Sequence, residues 1–217
     1  MIPAIVCRTG PKCLSKQVWH AGAELPVTIV DQAGLAIVDA VVPPAIGTAI
    51  DALPIDALLH FRIEGPVALA VDWLDILSRT PGLVWAQRWT VADVAIKARG
   101  FAELTGASRL ALKLEVISDN ACRKLHYDYV AHRIVCTYRG PGTQWLRREH
   151  EAELGDERDT VPDTWLEVVP RFASALFTGR LAPGARPVLH RSPPIAGTGM
   201  ARLVLTINEP FSGCHAA

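Results

Sequence analysis

The apolar pattern of the chain changes its period near residue 107, and this change constrains the fold more than any other feature. Residues 49–106 repeat apolar side chains at helical spacing, whereas residues 107–208 alternate apolar and polar side chains in short runs. Turns rich in Pro and Gly separate these runs, as in "RGPG" at 139–142. Helices followed by short strands predict an α+β domain whose strands form a sandwich or a barrel.

The same change of period divides the chain into three predicted segments. Residues 1–48 are rich in Pro and Gly and predict an N-terminal arm with short strands such as "PVTIVD" and "LAIVDAVV". Residues 49–106 form a helical support region, and residues 107–210 form the strand-rich core. The chain has 217 residues, 50% of them apolar, which is enough for one compact domain.

Three stretches carry the helical pattern. Residues 49–63 predict a helix that Pro54 cuts or kinks. Residues 65–82 predict a second helix, and residues 89–106 a third that ends at Gly106. The second helix has one apolar face, which consists of Leu69, Trp73, Ile76 and Leu77.

Charge and hydropathy exclude several classes of protein. Lys plus Arg and Asp plus Glu both number 22, and no basic run is present, so we expect no nucleic-acid partner. The longest apolar run, near residues 35–50, is broken by Asp39 and by two prolines, which makes it too short to span a membrane. The N-terminus lacks the basic region of a signal peptide.

The cysteines indicate a reducing compartment. They are odd in number and do not form the framework of a small secreted domain, so we expect a soluble cytoplasmic protein. Cys136 is expected to be a small buried residue. The remaining four are Cys7, Cys13, Cys122 and Cys214.

A candidate metal site lies in the predicted strands. His126 and Asp128 are two residues apart, so their side chains share one face of a strand. His190, in a later strand, is the candidate third ligand. Two histidines and one carboxylate leave coordination positions open, a set that suits non-haem Fe(II). The three residues are therefore predicted both to bind the metal and to form the catalytic centre.

The order His-x-Asp, a long gap, His and then Arg202 resembles the Fe(II)/2-oxoglutarate-dependent dioxygenases. The resemblance covers roughly residues 107–208. It implies a double-stranded β-helix, or jelly-roll, core preceded by supporting helices, with Fe(II) and 2-oxoglutarate as cofactors. It also implies that an arginine on the last core strand, Arg202, binds the far carboxylate of 2-oxoglutarate, and that an unidentified substrate is oxidised, most simply by hydroxylation.

A closer resemblance is to a family of uncharacterised bacterial proteins, a domain of unknown function. It rests on three motifs, "CRKLHYD" at 122–128, "CTYRGPGTQW" at 136–145 and "HRSPP" at 190–194. This family implies no activity by itself, so the enzymatic hypothesis rests on the more remote resemblance.

Other basic or aromatic residues are also candidates for binding a carboxylate or the substrate. Arg202 is favoured because an arginine inside an apolar strand needs an anion, and its planar fork matches a carboxylate. Arg133, Tyr138 and Arg139 are held as secondary candidates, although strand alternation places Tyr138 opposite the two arginines unless a bulge intervenes. Trp145, beside the "RGPG" turn, is a candidate for the rim of a pocket.

Two alternatives stay open. Cys122 as a fourth ligand would close the site and favour a zinc-binding metal-handling or regulatory protein without redox turnover. In a jelly-roll binding domain without a metal, His126 and Asp128 would be a structural pair and His190 a hydrogen-bonded core residue. The partner is predicted to be a small-molecule or protein substrate, and a homodimer through sheet edges or helices is possible.

Overall fold

The structure is a computed structural model that describes residues 34–40, 42–155, 158 and 160–210. The predicted strand "PVTIVD" lies outside the described residues, as do Cys7, Cys13 and Cys214. Within the described residues, no helix is long and apolar enough to cross a membrane.

The described residues contain helices in their first half and short strands throughout. In chain order these elements are β1 (Leu35–Val38), α1 (Pro44–Asp51), β2 (Phe61–Pro66), α2 (Val67–Ser78), α3 (Trp85–Thr105), β3 (Arg109–Ile117), β4 (His132–Arg139), β5 (Gln144–Leu146), β6 (Leu166–Val168), β7 (Ser174–Thr178), β8 (His190–Arg191) and β9 (Arg202–Asn208). Short 3₁₀ helices occupy Ile55–Ala57, Arg148–Glu153 and Asp163–Trp165.

The strands form two antiparallel sheets. The large sheet has the order β1-β7-β4-β9-β3-β2, and the small sheet has the order β6-β5-β8. An isolated antiparallel bridge between His126 and His190 places the backbone of His126 beside β8. The predicted α+β class is therefore confirmed, and the two sheets give a jelly-roll-like arrangement.

Alternation along β4 and β9 separates two cores. Cys136 on β4 and Leu205 on β9 face the helices, within a core that also takes in Leu74 of α2 and Phe101 of α3. The residues that alternate with these along β4 and β9 face the small sheet instead. There, Val135, Val204, Phe177 and Trp145 form a second core between the sheets.

The predicted helix at 49–63 is wrong. Helix α1 covers Pro44–Asp51 and ends before Pro54, whose ring and missing N–H prevent a helix from continuing through it. Residues 61–66 instead form β2, which pairs with β3. The division of the chain at residues 48 and 106 stays a prediction. Strand β2, which lies in the middle segment, joins the large sheet.

Helix α2 is confirmed, but the apolar residues that were expected to share its face are largely exposed. Leu69, Trp73 and Ile76 are 65%, 43% and 70% exposed, whereas Leu74 and its smaller neighbours are buried. The helix is apolar almost all round, so its pattern does not select a face. The small side chain of Ala70 lies on the buried side, where α2 packs beside α3.

The strand predictions after residue 107 are confirmed for β3, β7, β8 and β9. The long strand expected over 125–138 is shorter, because only His132–Arg139 is continuous. Residues 147–164, expected to be loop, contain the 3₁₀ helix Arg148–Glu153. Gly106 ends α3 with a φ of 74°, as predicted for a glycine in the left-handed region.

A buried charged cluster joins α3 to the large sheet. Lys97 is 4% exposed, and its Nζ lies 2.6 Å from Asp93 Oδ2. The Tyr138 hydroxyl donates to the same carboxylate at 2.6 Å. Burial alone would lower the pKa of Lys97, but Asp93 outweighs it and the pKa is raised. Lys97 is therefore charged at neutral pH, and Asp93 is its counter-ion.

We predict that Asp93→Asn destabilises the protein by about 3 kcal/mol, because it leaves a buried ammonium without its counter-ion. The contribution of Lys97 has a definite pH dependence. Since its folded pKa is raised, the stabilisation is complete at neutral pH and is lost as the pH rises through that pKa. Urea unfolding of both proteins at neutral and alkaline pH measures the difference.

Asp75→Asn is the matched control, because Asp75 pairs with Arg99 at the surface, where both side chains are more than a third exposed. It should cost at most about 1 kcal/mol. Equal losses in the two variants would show that the buried cluster contributes no more than a surface pair.

Candidate metal centre

Two backbone hydrogen bonds bring His126 and His190 side by side. His126 N–H donates to His190 O at 3.0 Å, and His190 N–H donates to His126 O at 3.1 Å. The two rings are 4.7 Å apart between centroids. Asp128 follows two residues after His126 and is 3% exposed. One ligand atom from each of the three side chains lies within 4.8 Å of the others.

The ring nitrogens of both histidines are oriented by main-chain carbonyls. His126 Nδ1 lies 2.9 Å from Lys124 O, and His190 Nδ1 lies 3.1 Å from Val188 O. A carbonyl only accepts, so both Nδ1 atoms carry a proton. Each ring in its neutral form therefore offers its Nε2 lone pair to a metal. Backbone carbonyls commonly orient metal-binding histidines by accepting the proton of the other ring nitrogen.

The Asp128 carboxylate has one satisfied oxygen and one unsatisfied oxygen. Oδ1 accepts a hydrogen bond from Arg133 Nη1. Oδ2 is buried and has no hydrogen-bond donor within the part of the chain that the structure describes, and its 3.3 Å contact with His190 Nε2 lacks hydrogen-bond geometry. A lone pair on a neutral His190 would therefore face a carboxylate lone pair. A cation between them, either a metal ion or a proton on His190, removes this repulsion.

The pKa values of His126 and Asp128 favour their ligand forms at neutral pH. Partial burial lowers the pKa of His126, with a further lowering from His190 and Arg133. Burial alone would raise the pKa of Asp128, but its contacts with His190, Arg133 and His126 outweigh burial and lower it. A neutral imidazole and an ionised carboxylate are the forms that bind a metal.

Arg202 lies between the two sheets and has no counter-ion among the described residues. It is 1% exposed, and all its hydrogen-bond acceptors are neutral oxygens. These acceptors are Pro141 O at 2.8 Å from Nε, Ser192 Oγ at 2.8 Å from Nη1, and Thr143 Oγ1 at 3.1 Å and Thr137 Oγ1 at 3.3 Å from Nη2.

This cage is suited to an anion. Burial lowers the pKa of Arg202 to about 10, so the guanidinium is still charged at neutral pH. The three hydroxyls accept from Arg202, and each keeps an O–H that can donate to a further acceptor. A carboxylate beside Arg202 would receive those O–H groups and neutralise a buried charge, which is costly while unpaired.

The cation and anion sites are adjacent on the inner face of the small sheet. His190 and Ser192 are two residues apart, and Trp145 pairs with His190 across β5 and β8. Thr143, two residues before Trp145, contacts Arg202 as Ser192 does. His190 and Ser192 therefore project from strand positions about 7 Å apart, the rise of two strand residues. The buried Trp145 indole N–H has no acceptor among the described residues.

The sequence assigns the chain to a family. A sequence model described as "Protein of unknown function (DUF1826)" matches residues 22–208. The chain belongs to the DUF1826 family. The match covers the three motifs that carried the expected family resemblance, which is therefore confirmed. No curated protein matches the sequence of this DUF1826 member.

Solved structures with a similar arrangement include 2-oxoglutarate-binding proteins. A dioxygenase for auxin oxidation from Arabidopsis thaliana, solved as a 2-oxoglutarate complex, has a TM-score of 0.39 at 12% identity over 69% of this chain. This DUF1826 chain spans 62% of that protein. A full-length protein from Neurospora crassa, solved in complex with alpha-KG, has a TM-score of 0.39 at 11% identity over 81% of this chain and 73% of its own.

A third similar structure is a prolyl-4-hydroxylase from Pseudomonas putida. It has a TM-score of 0.32 at 16% identity, and the match covers 76% of this chain and 94% of that protein.

The secondary candidates for cofactor binding lie elsewhere. Arg133 contacts Asp128, so its guanidinium supports a predicted metal ligand instead of a cofactor carboxylate. A bulge between Thr137 and Arg139 changes the register of β4. As a result both Tyr138 and Arg139 point to the helical side, where Arg139 Nη1 donates to Leu53 O at 2.7 Å. Their positions argue against the predicted role in cofactor binding.

Cys122 is separate from the group of three. It is exposed, with a φ of 57°, and among the described residues the metal-capable group contains only His126, Asp128 and His190. Cys122 lies near Arg202 instead, and this proximity partly offsets the effect of burial on the pKa of that arginine. A fourth-ligand role for Cys122 would need a rearrangement of this turn.

The hydroxyls around Arg202 were missed by the sequence analysis. Thr137, Thr143 and Ser192 lie on or beside three strands, and no short motif connects them. The available signal was the two-residue offset of Ser192 from His190 and of Thr143 from Trp145, which places each pair on one strand face.

We predict that His126→Ala and Asp128→Ala each weaken divalent-metal binding by at least about tenfold, since each removes one of three ligands. Calorimetric titration of the metal-free protein with Mn²⁺ or Zn²⁺ measures the effect without turnover. His60→Ala, in an exposed loop, is the control and should bind like the wild type. Wild-type affinity in both ligand variants would show that the three residues are a structural cluster.

Proposed function

We propose that the protein is a non-haem Fe(II)- and 2-oxoglutarate-dependent oxygenase that hydroxylates an unidentified substrate on a double-stranded β-helix. The proposal rests on one observation, the placement of a three-ligand cation site beside a caged arginine, whose hydrogen-bond partner Ser192 lies two residues from His190. A ligand that bridges these sites must bind a metal at one end and be anionic at the other.

2-Oxoglutarate has both properties. Its 2-oxo acid end chelates a metal through two oxygens, and its other end is a carboxylate. The strand positions of His190 and Ser192 are about 7 Å apart, which is close to the length of this five-carbon diacid. A simple dicarboxylate without the oxo group would lack the chelating end, so the pairing of the two sites favours a 2-oxo acid.

The residues of the chain then have separate roles. His126, Asp128 and His190 hold the metal and leave coordination positions open for the 2-oxo acid and dioxygen. Fe(II), when bound, supplies the redox chemistry that activates dioxygen. Arg133 fixes the rotamer of Asp128, and Arg202 with its hydroxyls orients the diacid. Phe177, 4.3 Å from His190 between ring centroids, helps to exclude water from the site.

We predict that anaerobic addition of Fe(II) and then 2-oxoglutarate to the metal-free protein produces the weak visible band of the iron–oxoacid chelate. The band should decay on admission of oxygen, because 2-oxoglutarate is then consumed. Optical spectroscopy in a sealed cuvette detects both changes.

Zinc provides the contrasting outcome. Stoichiometric tight zinc binding, with iron bound weakly or without a band, would instead support the metal-handling alternative. Cys122→Ser then tests that alternative, since it should release zinc only if the thiol reaches the ion.

Arg202 and its cage make a second prediction. Ser192→Ala and Thr143→Val should each weaken 2-oxoglutarate binding several-fold while leaving metal binding unchanged, because each removes one O–H donor from the carboxylate. Arg202→Gln should weaken it more, by at least about a hundredfold, because it removes the charge. Titration of the Mn²⁺-loaded protein with 2-oxoglutarate reports these affinities.

Arg139→Gln is the matched control, because it removes an arginine from the same strand region on the helical side. Loss of 2-oxoglutarate affinity in this variant and not in Arg202→Gln would move the carboxylate site to the other face of the sheet. A thermal unfolding curve for each variant identifies any that fails to fold.

Trp145 supplies a further donor to the same ligand. Its indole N–H is buried beside His190 without an acceptor, and leaving such a group unpaired costs roughly 1–3 kcal/mol. A bound 2-oxo acid would bring oxygen atoms to this position. Trp145→Phe keeps the apolar ring and removes the donor, so in the same titration it should reduce 2-oxoglutarate affinity without lowering stability.

A further inference from the structure

The outer edge of β2 is open in the structure. Strand β2 is last in the order of the large sheet, and among the described residues only β3 pairs with it. An unpaired edge presents backbone donors and acceptors to solvent, where another chain can add a strand.

The backbone direction at this edge follows from the register. Val67 N–H donates to Ser108 O at 3.0 Å, one position beyond the Pro66–Arg109 pair. Because alternate residues of an antiparallel strand point the same way, the odd-numbered residues of β2 bond toward β3. The N–H and C=O groups of Arg62 and Glu64 therefore point to the open edge. Pro66 also points outward and needs no partner for an N–H.

The side chains at this edge are complementary to a second copy of themselves. If two β2 strands pair antiparallel about a two-fold axis at Ile63, Arg62 stands directly opposite the partner's Glu64, and the pair occurs twice. Within one chain the two side chains are 3.6 Å apart and well exposed, which is a weak contact. Lys113, with the same charge, lies opposite Arg62 on β3.

An apolar helix face lies beside the same edge. Trp73 of α2 contacts Phe61 of β2 in an edge-to-face arrangement, with 5.4 Å between ring centroids. Leu69 and Ile76 extend this exposed face along α2. Exposed apolar groups of this size on one helix, adjoining an open strand edge, mark an interaction surface.

We propose that this surface binds a second copy of the chain, with the two β2 strands paired antiparallel about Ile63 and the two α2 faces in contact. The large sheets then form one continuous sheet across the dimer. The charge pattern favours this partner, since Arg62 and Glu64 complement each other only in a self-pairing of this register. The proposal rests on the sheet edge and is independent of the proposed activity.

The test is a charge-exchange series measured by sedimentation velocity over a range of protein concentrations. We expect a dimer for the wild type. Glu64→Arg places like charges opposite each other twice and should raise the dimer dissociation constant roughly tenfold or more. The double variant R62E/E64R restores opposite charges across the axis and should restore the dimer.

Glu115→Arg is the matched control. Glu115 forms a similar exposed pair with Lys113 at 2.6 Å, but it lies on β3, which is covered on both edges. This variant should remain dimeric. Ile76→Lys provides a second test on the helix face and should weaken the dimer without changing the thermal stability of the monomer.

Three results would overturn the proposal. They are a monomeric wild type at every concentration, a dimer that Glu64→Arg leaves unchanged, and a double variant that stays monomeric although it folds normally. The second result would place the dimer interface on another surface, and the third would exclude this register.

Discussion

The site depends on a carboxylate that is buried with only one of its oxygens satisfied. Asp128 is held by Arg133 on one side, and its free oxygen faces the imidazole nitrogen of His190. Main-chain carbonyls fix the protons of both histidines on the far side of each ring, so three electron pairs converge on one small space. Such an arrangement is stable only with positive charge at its centre. The strands around it supply the rigid support that keeps these groups together.

The opposite situation occurs beside this site, where Arg202 of β9 contacts Ser192 and Thr143. Arg202 is a buried positive charge surrounded by a carbonyl and three hydroxyls, with no anion among the described residues. The close approach of the "RGPG" turn completes this cage, since a Cβ on Gly140 would lie 3.0 Å from the Arg202 side chain. In the proposed function, His126, Asp128 and His190 would hold a cation, and Arg202 would contact an anion. A single elongated ligand bound through a metal satisfies both.

Sequence reasoning located the components that one strand or one motif contains. The shared face of His126 and Asp128 follows from strand periodicity, whereas Arg202 came from the resemblance to the dioxygenases and from the cost of burying charge. The hydroxyl cage was not predictable, because it is assembled from different strands. The bulge in β4 was equally hidden, although it decides that Arg139 faces the helices. In α2, apolar residues on every side left the buried face undetermined.

That failure in α2 is itself informative about the surface. A helix whose largest side chains were all needed for the core of one chain would bury them, yet here Leu74 packs inward with smaller neighbours and Leu69, Trp73 and Ile76 stay outside. These residues lie on the helical side of the large sheet at its β2 edge, whereas Arg202 lies on the other face of β9. Strand β3 separates the two, so β9 and the β2 edge are about 10 Å apart. Pairing at β2 would therefore extend the sheet without occupying the space between the two sheets. The opposite faces of one sheet can thus carry a binding site and a subunit interface that evolve under separate constraints.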